Sequence, residues 1–158
     1  MEQISDILES MTDAFAALDH EWRFAYLNHQ AERLLQRPRE EVLGKNLWEV
    51  CPEAIGGKGY QELHRALAEH TPVEYEEYRP SLNVWLAVRA YPWRDGLAIH
   101  FEDITRRKQR EESLRQSEER FRIMADNAPV MIWLADAEDR CTFFNRAWLG
   151  CEPSSRRS

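Results

Sequence analysis

"HFEDITRRKQREESLRQSEERFR", residues 100–122, begins like a buried strand and becomes, within about one helical turn, a run of Arg, Lys, Gln and Glu. From Arg106 to Arg122 it contains no Gly and no Pro, and most of its residues are good helix formers. Opposite charges recur four apart, at Lys108 and Glu112, Glu111 and Arg115, and Glu118 and Arg122. Each pair adds only about 0.2–0.5 kcal/mol. The apolar content is thin: Leu114 and Phe121 stand seven apart, and Ile104 and Met124 extend the stripe imperfectly. A lone helix with so little to bury is marginal. Paired in parallel with a copy of itself along a Leu114/Phe121 seam, it would gain burial and keep its charges in water, so a coiled coil and a homodimer are expected. The alternative is a solvated single helix joining two domains. Asp103 or Thr105 is the expected N-cap, since either side chain can accept from the first free amides.

Upstream of this helix the pattern is α+β. Residues 1–12 place Ile4, Ile7, Leu8 and Met11 at helical spacing and read as an amphipathic helix. "AFAALD" (14–19) and "RFAYLN" (23–28) read as short strands, with Asp19 opening the turn between them. "HQAERLLQ" (29–36) is a short helix that stops before Pro38. "REEVLGK" ends at Gly44, and "GYQELHRALAEH" (59–70) is a helix with Leu63, Ala66 and Leu67 on one face. Three strands follow, at 73–79, 83–93 and 96–103, the last two joined by the turn signal "RDG". Five strands in a mostly antiparallel sheet, with the helices between strands two and three, make one sheet-and-helix layer pair. The strand 84–91 is apolar on both parities, which implies that both sheet faces are covered, one of them by the helix 1–12.

The chain also repeats itself. "LDHEWRFAYLNHQAERLL" (18–35) matches "ADAEDRCTFFNRAWLGCE" (135–152): Asp19 with Asp136, Glu21 with Glu138, Arg23 with Arg140 and Asn28 with Asn145, each pair 117 apart. Two copies of one domain joined by a charged helix explain the opening stretch. The boundaries expected are 1–105 for the first domain, 106–122 for the linker helix, and 123–158 for the incomplete start of a second.

Composition narrows the function. A net charge of -7 argues against nucleic acid as the main partner. The longest apolar runs are too short to cross a bilayer, and no basic segment leads an apolar one at the start, so a cytoplasmic chain without a membrane segment is expected. Cys51, Cys141 and Cys151 are odd in number and match no zinc or redox spacing. There is no Gly-rich phosphate loop and no nucleophile beside a base, so the chain itself is expected not to be an enzyme. Glu74, Glu76 and Glu77 read as the solvated face of an outer strand.

The strand–strand–"LN"–helix start, the segment "EEVLGKNLWEV", the stretch "VEYEEYRPSLNVWLAVRAYPWRDGLAIHFEDIT" and the charged helix after "EDIT" together resemble a PAS domain of a bacterial sensor histidine kinase or diguanylate cyclase. The resemblance covers 1–105, and 119–151 resembles the start of a second such domain. It implies a five-stranded sheet cupping a small pocket, dimerisation, and a C-terminal helix that passes a signal to an output domain such as a histidine kinase in a two-component system. Pocket walls are expected from Leu47, Leu63, Leu67, Val84, Leu86, Val88 and Ile99, around a small-molecule ligand. Asp103 and Thr105 are the expected relay into the helix. The flavin photoreceptors of the family carry Gly-x-Asn-Cys; here Gly44-Lys45-Asn46-Leu47 puts a leucine where the reactive sulfur would stand, so flavin adduct chemistry is not expected. Cys51 reads as a packed thiol. Haem-binding relatives use a His from the helix before the third strand, which makes His64 the candidate axial ligand of a haem-carrier alternative; an exposed helix position is the plainer reading of it.

Overall fold

The structure, a computed structural model, describes residues 2–150. Met1 and residues 151–158, with Cys151 and the end of the expected second domain, lie outside the described residues. The chain divides into two units, 1–108 and 109–158.

In the first unit, α1 (Glu2–Ser10) precedes β1 (Ala14–Leu18) and β2 (Phe24–Leu27). Then come α2 (His29–Leu35), α3 (Arg39–Val42), α4 (Leu47–Val50), a 3-10 turn (Pro52–Ala54) and α5 (Lys58–Glu69). Strands β3 (Val73–Arg79), β4 (Val84–Trp93) and β5 (Gly96–Asp103) complete a five-stranded sheet of order β2-β1-β5-β4-β3, with every pairing antiparallel. This is the α+β sheet that the element order implied. The "RDG" signal is a two-residue hairpin, with Arg94 at φ 54 in the left-handed region.

The helices between β2 and β3 cover one face. Leu86, Val88 and Ala90 of β4 are buried there with Ile99 and Phe101 of β5. The opposite parity is not sealed: Arg89 and Tyr91 are exposed, and Trp85 and Ala87 are only half-buried. The expectation that both faces are covered therefore fails within the described chain. In helix α1, Ile7 is 62% exposed and Leu8 half-buried. A few polar ties hold its C-terminal end. Glu9 accepts from the His29 N–H, the Tyr26 hydroxyl and the Arg39 guanidinium, and Arg39 also binds Glu32. The Arg39 hydrogen bonds hold both carboxyls below the usual carboxylate range.

A bulge sets the facing of β2. Leu18 pairs with Phe24 and Ala17 with Tyr26, so Ala25 has no opposite partner. Without that extra residue, Phe24 and Tyr26 would share a face. With it, Phe24 is buried inward and Tyr26 lies beside Phe15, on the other side, at a ring separation of 6.1 Å.

Helix α6 (Thr105–Asn127) runs past the expected end at Arg122, because nothing breaks it before Ala128 meets Pro129. Arg115 binds Glu112 and Glu119 rather than Glu111, and Lys108 turns back to Glu76 on β3 rather than to Glu112. In the second unit, β6 (Trp133–Ala135) and β7 (Cys141–Phe144) form a hairpin, followed by α7 (Arg146–Leu149).

The repeat is physical. Asn28 is fully buried; its Oδ1 accepts from Phe15 and Ala31, and its Nδ2 donates to the Leu8 and Asp13 carbonyls. Asn145, also fully buried, accepts from Ile132 and donates to the Ala125 and Val130 carbonyls. Asp19 and Asp136 each accept two turn amides through Oδ1. Trp22 and Asp139 hold the equivalent left-handed position, at φ 64 and φ 58. Glu9 and Asp126 each accept from the amide that follows the buried asparagine. The end of α6 thus serves the second hairpin as α1 serves the first.

Candidate functional site

Between the sheet and the helices of the first unit lies a cavity of about 60 Å³. Its floor is sheet: Ala16, Leu86, Val88, Ile99 and Phe101. Its roof includes Leu35, Leu47 and Leu63. Five residues anticipated as walls, Leu47, Leu63, Leu86, Val88 and Ile99, line it; Leu67 and Val84 pack partly buried against the core outside the lining.

The polar end of the cavity was not anticipated. Along "VEYEEYR" the parity that buries Val73 and Tyr75 also carries Glu77 and Arg79 inward. That period-two signal was present in the sequence, and it separates Glu77 from its solvated neighbours. Glu77 Oε1 accepts from Arg79 Nε at 2.8 Å, and its Oε2 accepts from the Gly59 N–H at 3.2 Å. Gly57, the N-cap of α5, gives no side-chain bond, so a strand carboxylate satisfies a helix-start amide instead. The approach at Gly59 is close: a Cβ there would stand 2.9 Å from both Glu77 oxygens and from the Tyr75 hydroxyl, and those side chains would have to shift.

Tyr75, Arg79 and Cys51 complete the lining at this end. Burial pushes the Tyr75 phenol up, and the Glu77 charge adds to the effect, so it stays a neutral donor. Burial likewise pushes the Cys51 thiol up, which keeps it protonated and unreactive. Burial works against the Arg79 charge, but Glu77 beside it, together with the other neighbours, more than offsets that and the guanidinium stays charged.

His64 is elsewhere. Its ring lies 4.1 Å from Tyr60, 4.3 Å from Trp22 and 5.4 Å from Trp48, and Nδ1 donates to the Tyr60 carbonyl at 2.7 Å. It does not line the cavity, which is also far below the roughly 300–1,000 Å³ of ordinary small-molecule and cofactor sites. These residues do not fit a haem. Among the described residues, no cluster of three His, Cys, Asp or Glu could hold a metal ion. Nor is any described helix long and apolar enough to cross a membrane.

The exit from the sheet is a second polar cluster. The Asp103 carboxylate accepts from the Thr105 N–H and hydroxyl, and Thr105 Oγ1 accepts from the Trp85 N–H at 3.0 Å. The Ile104 N–H donates to the Trp85 carbonyl at 2.9 Å. Glu76 clamps the next turn through Arg107 and Lys108, and the Lys108 ammonium sits over the Trp85 ring. Leu114, in contrast, is 61% exposed, and Phe121 lies against Phe143 at 5.3 Å.

Compared with known families, the chain matches the PAS fold over residues 8–109. The chain belongs to the PAS family. A further match to a PAS domain covers residues 119–149, where the second Asn-latched hairpin stands. An uncharacterized protein of Sinorhizobium fredii, y4lL, is 33% identical over 119 residues; the match takes 70% of this chain and spans only 14% of that relative's length. Among solved structures, an RNA-binding light-oxygen-voltage receptor superposes with a TM-score of 0.60 at 20% identity, covering 75% of this chain and 36% of its own. The PAS domain of the histidine kinase ThkA gives 0.50 at 23% identity, covering 59% of this chain and all of its own. That of nitrogen regulation protein NR(II) from Vibrio parahaemolyticus gives 0.50 at 18%, over 64% and 97%. These likenesses show the PAS fold.

Proposed function

We propose that this PAS chain is a sensory and dimerisation module of a bacterial signal-transduction protein. A small molecule in the cavity biases the sheet, and the β5–α6 junction passes that bias to an output domain such as a histidine kinase. The observation that carries this reading is the continuity of α6. Its first turn is held by side chains of β3, β4 and β5, and its last turn is gripped by Asn145 of the second hairpin. A helix whose first turn is held by the sheet can report two discrete junction states if a ligand prefers one of them.

Asp103→Ala tests the relay. It removes the acceptor for the Thr105 amide and hydroxyl and is expected to loosen the junction by about 0.5–2 kcal/mol, as other lost caps do. Hydrogen exchange of the amides of residues 105–112 should then quicken, while the far end of α6 is unchanged. Unaltered exchange and an unaltered melt in that variant would overturn the relay.

Dimerisation is tested by gel filtration with light scattering on the full chain and on a version ending at Arg122. Both are expected to associate, with Leu114 and Phe121 in the seam. Trp133 and Phe144, 57% and 51% exposed, add a second adhesive surface in the longer form. If only the full chain associates, the second hairpin and not the helix holds the copies together. Two clean monomers would overturn both contacts.

A further inference from the structure

We infer that the ligand of this cavity is a small, uncharged, largely apolar molecule carrying one hydrogen-bond acceptor, a carbonyl or ring nitrogen, gripped by Tyr75 and Arg79. The inference rests on the reading of the cavity as a sensory site and adds its chemistry.

Size comes first. About 60 Å³ exceeds the 10–15 Å³ or so that one water needs, yet suits nothing larger than a single small ring. The half-buried Leu35 and Leu82 are the wall positions able to yield. Polarity comes second. The walls are apolar except at one end, where Tyr75 and Arg79 stand with the Cys51 thiol.

Charge decides the class. Arg79 is already offset by Glu77 at 2.8 Å, with Glu53 at 3.6 Å. A carboxylate ligand would add a further negative charge where Arg79, the cation of the cavity lining, is already paired with Glu77, and an uncompensated buried charge is strongly unfavourable. A neutral acceptor needs no such compensation. Donors, meanwhile, are in surplus. A guanidinium has five N–H groups, and Glu77 takes the one on Nε. Tyr75 is 4% exposed, and its hydroxyl makes no hydrogen bond among the described residues. Burial keeps that phenol protonated, so it presents a donor at any physiological pH. Glu53, Glu77 and Cys51 stand at this end, Arg37 and Glu62 act on it from nearby, and burial keeps the thiol neutral.

Three probes of matched ring size test this by methyl NMR titration of the full chain, read at Leu63, Val88 and Ile99: cyclopentanone, methylcyclopentane and cyclopentanecarboxylate. Cyclopentanone should bind, and the carboxylate should bind at least about tenfold more weakly. Tyr75→Phe keeps the ring and removes only the unpaired hydroxyl, so the fold is retained. It should weaken cyclopentanone about fivefold, the worth of one net hydrogen bond, and leave methylcyclopentane unchanged. Carboxylate binding tighter than ketone, or a ketone-to-hydrocarbon ratio unmoved by Tyr75→Phe, overturns the inference while leaving the pocket in place. If none of the three moves these methyls, the pocket reading itself falls.

Discussion

Asn28→Ala is expected to destabilise the first PAS unit by about 3–5 kcal/mol, a large share of the 5–15 kcal/mol or so that holds an ordinary domain together. The side chain is fully buried and satisfies four backbone groups from three segments: two amides, of Phe15 and Ala31, and two carbonyls, of Leu8 and Asp13. Alanine reaches none of them. Each buried polar group left without a partner costs about 1–3 kcal/mol, and water is a poor substitute at a site without exposure. Asn28→Asp keeps the acceptor that serves the two amides but turns a carboxylate toward the two carbonyls, so it should be nearly as damaging. Urea midpoints with unchanged slope would measure both. A loss below about 1 kcal/mol in Asn28→Ala would show that solvent enters and replaces the amide. Asn145→Ala is the companion variant. It should leave the main melting transition in place and free the end of α6 from the second hairpin, seen as faster exchange at residues 125–132.

Gly96→Ala should be comparably severe for a different reason. A Cβ at Gly96 would stand 2.0 Å from the Leu18 carbonyl oxygen, 3.0 Å from its carbon and 3.1 Å from the Asp19 Cα. Every obstacle is backbone, so relief requires β5 to move away from β1 at the Leu18–Leu97 pair. Overpacking of this kind costs typically 1–3 kcal/mol and more when the main chain must shift; about 3 kcal/mol is expected here. The displacement would also separate Ala16 from Ile99, two residues of the cavity floor, so cyclopentanone binding should fall with stability. Gly59→Ala is the informative contrast. Its obstacles are the side chains of Glu77 and Tyr75, which can swing aside, so it should melt closer to the wild type while altering the polar end of the cavity. Equal melting points for Gly96→Ala and the wild type would show that the β1–β5 approach is looser than 2.0 Å implies.

Much of this protein is determined locally, and that part was legible in the sequence. Strand-like apolar runs after Pro72, the last two separated by the "RDG" turn, placed β3, β4 and β5 almost to the residue. Breakers placed the ends: Pro38 after α2, "RDG" between β4 and β5, and a Gly- and Pro-free run for α6. The constant offset between Asp19 and Asp136, and between Asn28 and Asn145, marked the repeat, and those same residues hold equivalent turns and latches.

What only the tertiary structure decided depends on partners distant in the chain. Lys108 is a helix residue with an acid four positions on, yet it binds Glu76, because the junction brings β3 closer than Glu112. Glu77 shares the inward parity of Val73 and Tyr75, but the α5 amide that it satisfies is set in front of it only by packing. His64 sits on the helix a haem ligand would use, but three aromatic rings from α4, α5 and the β1–β2 turn enclose it away from the cavity. The bulge at Ala25 reverses the parity of β2 with no sequence signature. Periodicity fixes which residues share a face of one element. Which group from another element meets that face is set by packing, and a single sequence carries no local signal for it.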